Sequence, residues 1–159
     1  MSDELTPEQN AERGYTITRT FDAPRQLVWD AITVAEQFGQ WFGTAAVKVD
    51  VETYDVRPGG AMKATMTYEG NEIPWVGEFR EVQPIERLVL AFADLPVLPD
   101  PTDLFTFTLT ELSPDRTELV LRQSGGHLTD EQYEQAREGT AGFLEAMADV
   151  VAQHKATKG

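Results

Sequence analysis

The side chains of this chain that could do chemistry are few and scattered. His127 is one of only two histidines and follows Gly125 and Gly126 at the mouth of the last helical segment. An imidazole there can donate to a ligand or exchange a proton near neutral pH. No second histidine or activatable serine lies near it in sequence, so alone it reads as a solvent-facing or capping residue, and at most as the entrance to a pocket. His154, between Gln153 and Lys155, is assigned no role. Asp94, Asp100 and Asp103 cluster, yet the prolines among them point to a solvated loop, and no metal is expected there. Gly59-Gly60 lacks the lysine and Ser/Thr of a phosphate loop and reads as a turn that needs unusual backbone angles. Arg57, beside that turn, is placed to pair with Asp55. There is no cysteine, which removes disulfides, thiolate metal sites and a cysteine nucleophile. No catalytic residue and no cofactor is assigned.

What remains is an apolar set with a few polar members on the same predicted faces. Trp41, Phe42, Met66, Trp75, Phe79 and Phe92 belong to it, as do Phe105, Phe107, Phe143 and Met147. Each alone is most simply core packing. Among them fall Tyr68, Gln123, Tyr133 and Thr140, and a polar group on an otherwise apolar face needs a partner. Apolar walls with a few placed polar groups describe a small-molecule site.

The elements that must position these groups follow from periodicity. Residues 1–13 are polar and acidic without a repeat, and are expected to be a flexible N-terminal segment. Tyr15, Ile17 and Phe21 alternate with threonines, a strand pattern. Asp22 is placed to cap a first short helix carrying Leu27, Val28, Ala31 and Ile32, with Pro24 in its first turn. A second short helix runs from Ala35 to Trp41 and stops at Gly43. Five or six strands follow. Val47, Val49 and Val51 share a face, as do Met62, Ala64, Met66 and Tyr68. Trp75, Gly77 and Phe79 form the next such set, then Leu88, Leu90 and Phe92. Phe105, Phe107 and Leu109 face away from Thr106, Thr108 and Thr110, and Leu119, Leu121 and Gln123 close the series. Turns fall at residues 57–60, 69–72 and 113–117, and the proline-punctuated stretch 95–101 cannot sit inside a sheet. Thr129 and Gln132 have the capping-box spacing. Behind them Tyr133, Ala136, Thr140, Phe143, Leu144, Met147 and Val151 make a helical stripe. From Thr129 to about Gln153 that helix is on the order of 37 Å long at ~1.5 Å per residue.

A strand, two short helices, antiparallel strands and a long terminal helix, in that order, carry a resemblance. The matching residues are Phe21-Asp22-Ala23-Pro24 with Val28 and Trp29, then Gln40-Trp41-Phe42-Gly43 and the stretch from Asp55 to Gly60. Gly77, Glu78 and Phe79 leading to Val82, Gln83 and Pro84 also match, as do Glu86-Arg87-Leu88 and Gly126-His127-Leu128-Thr129. Over roughly Tyr15 to Val151 the chain resembles the family named for the C-terminal domain of the activator of the heat-shock-protein-90 ATPase. That family lies within the START-like, or birch-pollen-allergen-like, superfamily. The resemblance implies an α+β helix-grip fold: a curved antiparallel sheet of six or seven strands wrapped around a long C-terminal helix, with two short helices after the first strand. It divides the chain into the flexible residues 1–13, one domain at 14–154 and a flexible tail at 155–159. Many relatives carry a tryptophan where this chain has Thr140. The threonine either enlarges or polarises a cavity, or Tyr133 or Met147 repacks into the space.

The 159 residues carry a formal net charge of -14, which disfavours nucleic acid and anionic membrane surfaces. No apolar run reaches the ~20 residues needed to span a bilayer, and the cytoplasm is the expected compartment. The leading expectation is a protein, monomeric or homodimeric, that binds a small apolar or amphipathic ligand between the last helix and the sheet. Entry would lie near His127 and the 95–101 loop. A second reading is a cyclase- or hydrolase-like enzyme with His127, Tyr68 or Glu81 as acid or base. A third is a protein-interaction or chaperone-associated module.

Overall fold

A computed structural model describes residues 14–42, 48–93, 103–125 and 129–158. Seven strands form one antiparallel sheet: β1 (Gly14–Phe21), β2 (Lys48–Tyr54), β3 (Ala61–Tyr68), β4 (Asn71–Gln83), β5 (Arg87–Ala93), β6 (Leu104–Ser113) and β7 (Arg116–Ser124). Their order across the sheet is β1-β7-β6-β5-β4-β3-β2, so β1 and β2 are the edges. Two short helices, α1 (Arg25–Thr33) and α2 (Ala35–Trp41), follow β1, and α3 (Asp130–Lys158) ends the chain. This is the helix-grip arrangement.

The hairpins form where the turn chemistry places them. Glu69 and Gly70 both have positive φ, the geometry of a tight turn whose twist matches that of its strands. At the 57–60 turn Gly59 has φ 83°, and a Cβ on Gly60 would lie 1.9 Å from the Asp55 carbonyl oxygen. Arg57 donates to Asp55 at 2.7 Å, as its position implies. Irregular registers at Val51/Thr53, Phe79/Glu81 and Glu111/Ser113 interrupt three ladders, and such bulges add bend and twist to the sheet.

Period-2 alternation decides what faces inward. Met62, Ala64 and Met66, then Leu88, Leu90 and Phe92, then Phe105, Phe107 and Leu109, are all buried. On β7 Thr117 joins Leu119, Leu121 and Gln123 on the inner side, and its hydroxyl donates to the Ala23 carbonyl at 2.8 Å. Helix α3 packs against β1, α1 and α2, burying Tyr133, Thr140, Leu144, Met147, Val150 and Val151. The capping box is made in full. Thr129 N donates to Gln132 Oε1 at 2.8 Å and Gln132 N donates to Thr129 Oγ1 at 3.1 Å.

Two local expectations are corrected. Asp22 does not cap α1: Pro24 holds the N-cap position with no side-chain hydrogen bond, and Asp22 turns to Arg116 at 3.4 Å. Proline's fixed φ sets the helix entry without a capping oxygen. Helix α3 also continues past Gln153 to Lys158, where Lys155 Nζ donates to the Asp22 carbonyl at 2.6 Å. No described helix is long and apolar enough to cross a membrane.

Candidate functional site

The inner face of α3, the aromatic residues of α2 and the concave side of the sheet converge on one point. Helix α2 supplies Phe38, Trp41 and Phe42. Trp41 is fixed because its indole N–H donates to the Ala31 carbonyl at 2.6 Å. The sheet supplies Met62, Leu90, Phe92, Phe105, Phe107 and Leu121, and α3 supplies Thr140 and Phe143. These side chains leave a void of about 20 Å³ between them, room for about one water molecule. Thr140 provides the only hydroxyl on the wall, among the described residues.

Aromatic rings occupy the rest of the space. Phe92 and Phe105 stack with centroids 4.2 Å apart and planes 11° from parallel. Trp75 stacks on Phe92 at 5.4 Å, Phe42 meets Trp75 edge-on at 5.7 Å, and Phe143 lies 5.6 Å from Phe42. Trp75 and Phe143 are half-buried, whereas Phe42 and Phe105 are buried. The rim of the aromatic cluster is therefore formed by two rings that already touch solvent.

Beside this apolar point lies a polar cluster that joins three elements. Asp103 is buried, 7% exposed, and its Oδ2 accepts from Gln123 Nε2 at 3.0 Å and from the Tyr133 hydroxyl at 2.9 Å. The Tyr15 hydroxyl and Thr140 Oγ1 are hydrogen-bonded at 2.6 Å, and the Tyr15 and Tyr133 rings meet edge-on at 6.5 Å. Gln123 is cross-strand from both Tyr15 and Phe105, which ties the cluster to the wall of the void. Burial pushes the Tyr15 phenol up to about 12. The Thr140 bond opposes this, while the charge of Asp103 and the Tyr133 phenol reinforce it. Tyr15 therefore stays protonated across the neutral range, a hydrogen-bonding group and not a base. Tyr54 is raised further by burial alone, and its hydroxyl donates to the Ile32 carbonyl at 2.5 Å.

Of the residues expected from sequence at the pocket, Trp41, Phe42, Phe92, Phe105, Phe107, Thr140 and Phe143 meet at the void. Trp75 lies one ring behind it. Met66, Phe79 and Met147 are buried core away from its wall. Gln123 and Tyr133 hold Asp103 instead. Tyr68 is 45% exposed, because it ends its strand opposite Asn71 at the hairpin. Glu81 pairs with Arg87 at 3.0 Å and accepts from Gln83 at 2.6 Å, so neither Tyr68 nor Glu81 reaches the void. His127, Gly126, the 95–101 stretch and Gly43 lie outside the described residues. Asp103 is a correction: it is buried and not part of a solvated loop. Its signal was present in the sequence, since Asp103, Phe105, Phe107 and Leu109 continue one inward alternation. At Thr140 the hydroxyl meets the Tyr15 phenol at 2.6 Å and also stands on the wall of the void.

A family model described as activator of Hsp90 ATPase homolog 1-like protein matches residues 22–152. This chain belongs to that family. Solved structures agree on the fold. A protein from Nitrosomonas europaea is 25% identical and aligns over 92% of this chain and 98% of its own, with a TM-score of 0.76. One from Chromobacterium violaceum is 23% identical over 87% and 96%, TM-score 0.75. Another, from Arthrobacter aurescens, is 21% identical over 88% and 86%, TM-score 0.77. Among curated proteins, none matches the sequence. Within this Hsp90-activator-homologue family the chain shows the shared frame of sheet and gripping helix. Its interior combines an aromatic cluster around a void of about 20 Å³ with the Asp103 cluster.

Proposed function

We propose that this protein binds a small, mostly apolar ligand in the aromatic chamber between α3 and the sheet. The observation that carries the reading is the void beside Thr140, closed off by rings from separate elements, with half-buried Phe143 on its wall and half-buried Trp75 one ring behind it, against Phe42 and Phe92. At about 20 Å³ the void holds no ligand as it stands. A cavity on the order of 150 Å³ is needed for a guest as small as benzene. Binding therefore requires the rim rings to turn outward, which costs least for side chains already half in solvent. A guest the size of an indole removes ~200 Å² of surface from water, about 5 kcal/mol at ~25 cal/mol per Å². Ring displacement and association subtract from this, so guests that small bind weakly and larger amphipathic ones hold better.

Turnover forms no part of the proposal; Tyr15, bonded to the hydroxyl on the void's wall, is held protonated and so is not a base. A docking face for another protein forms no part of it either. Of the large exposed apolar residues described (Val34, Tyr68, Ile73 and Leu112), only Tyr68 and Ile73 share a hairpin. The test is titration of ¹⁵N-labelled protein with a panel of naphthalene, fatty-acid and polyketide-like molecules, with native mass spectrometry for a co-purifying guest. Shifts centred on Phe42, Phe92, Phe105, Thr140 and Phe143 are expected, and larger ones in Phe143→Ala, which opens the rim. A panel that leaves those amides unmoved in both proteins overturns the reading.

A further inference from the structure

Trp75 carries an unused donor. Its indole N–H is cut off from solvent and pairs with no atom, although the ring around it is well placed between Phe92 and Phe42. Trp41 shows what this fold ordinarily does with a buried indole, giving it the Ala31 carbonyl. Buried polar groups are nearly always paired, and each exception calls for a cause. An indole N–H only donates, so the missing partner is an acceptor. Phe42 and Phe92, the two rings in contact with Trp75, both line the void. A guest that widens the void at its rim therefore comes up against the indole.

Resting on the ligand-binding reading above, we propose that Trp75 selects the class of ligand: a flat aromatic or polyene molecule bearing a carbonyl or phenolic oxygen, which accepts from the Trp75 N–H. Trp75, Phe92 and Phe105 make a stack of near-parallel rings, an arrangement that favours a further planar ring. Thr140 offers that body a second polar contact on the side toward α3.

The test uses a pair of probes alike in shape, 2-acetylnaphthalene and 2-isopropenylnaphthalene, titrated into the full chain while the indole N–H cross-peaks of its three tryptophans are followed. The ketone is expected to bind about fivefold more tightly, the net worth of one neutral hydrogen bond. It should move the Trp75 indole proton downfield, and the preference should fall to about unity in Trp75→Phe. Equal binding of the two probes, or a ketone preference with an unmoved Trp75 resonance, overturns this assignment and leaves the chamber reading intact. Binding of neither probe overturns both. The wild-type indole signal decides the matter even where the variant fails to fold.

Discussion

The Tyr15–Thr140 hydrogen bond joins residues 125 positions apart at 2.6 Å inside the core, and its energetics can be read from three variants. Tyr15→Phe leaves the Thr140 hydroxyl unpaired where water is scarce. Thr140→Val, nearly isosteric, leaves the Tyr15 phenol unpaired. Each orphaned group costs about 1–3 kcal/mol, whereas replacing both partners with apolar groups of the same shape is close to neutral. Each single variant should therefore lose roughly 1.5 kcal/mol, and the double variant clearly less than their sum, with a coupling of about 1–2 kcal/mol. Urea unfolding followed by circular dichroism reads this directly. With a slope of about 2 kcal/mol per M, each single change lowers the midpoint by roughly 0.7 M, and the double variant lies well above the midpoint that two independent losses would give. Strict additivity, within about 0.3 kcal/mol, would show that the two hydroxyls do not depend on each other.

Other outcomes follow from the same structure. Stability should fall as pH rises from about 10 toward about 12, because the unfolded chain loses its tyrosine protons first while burial keeps Tyr15 protonated in the fold. Tyr54 acts in the same direction, and alkaline unfolding of wild type against Tyr15→Phe should show a shallower loss in the variant. Thr129→Ala breaks one arm of the capping box and should cost about 1 kcal/mol, read as a lower urea midpoint with an unchanged slope. Gly60→Ala sets a Cβ against the Asp55 carbonyl. It should lower the melting temperature by more than any other alanine substitution in the 57–60 turn, and a shift below about 2 °C would contradict the geometry.

Much of the frame was legible from the residues alone. The alternation at Phe105, Phe107 and Leu109 settles which face of β6 turns inward, because a strand repeats every second residue whatever surrounds it. Thr129 and Gln132 fix the start of α3 through a contact only three residues apart. The order of elements and the hairpins depend on the same short-range rules. The interior was decided elsewhere. Whether a hollow survives under α3 depends on the summed volume of side chains from α2, four strands and α3, and close packing leaves about 20 Å³. That Tyr15 meets Thr140, that Asp103 is held by Gln123 and Tyr133, and that the Trp75 N–H is left without a partner are outcomes of long-range contact. Periodicity points each side chain toward the core, but only the assembled fold determines which of them touch there.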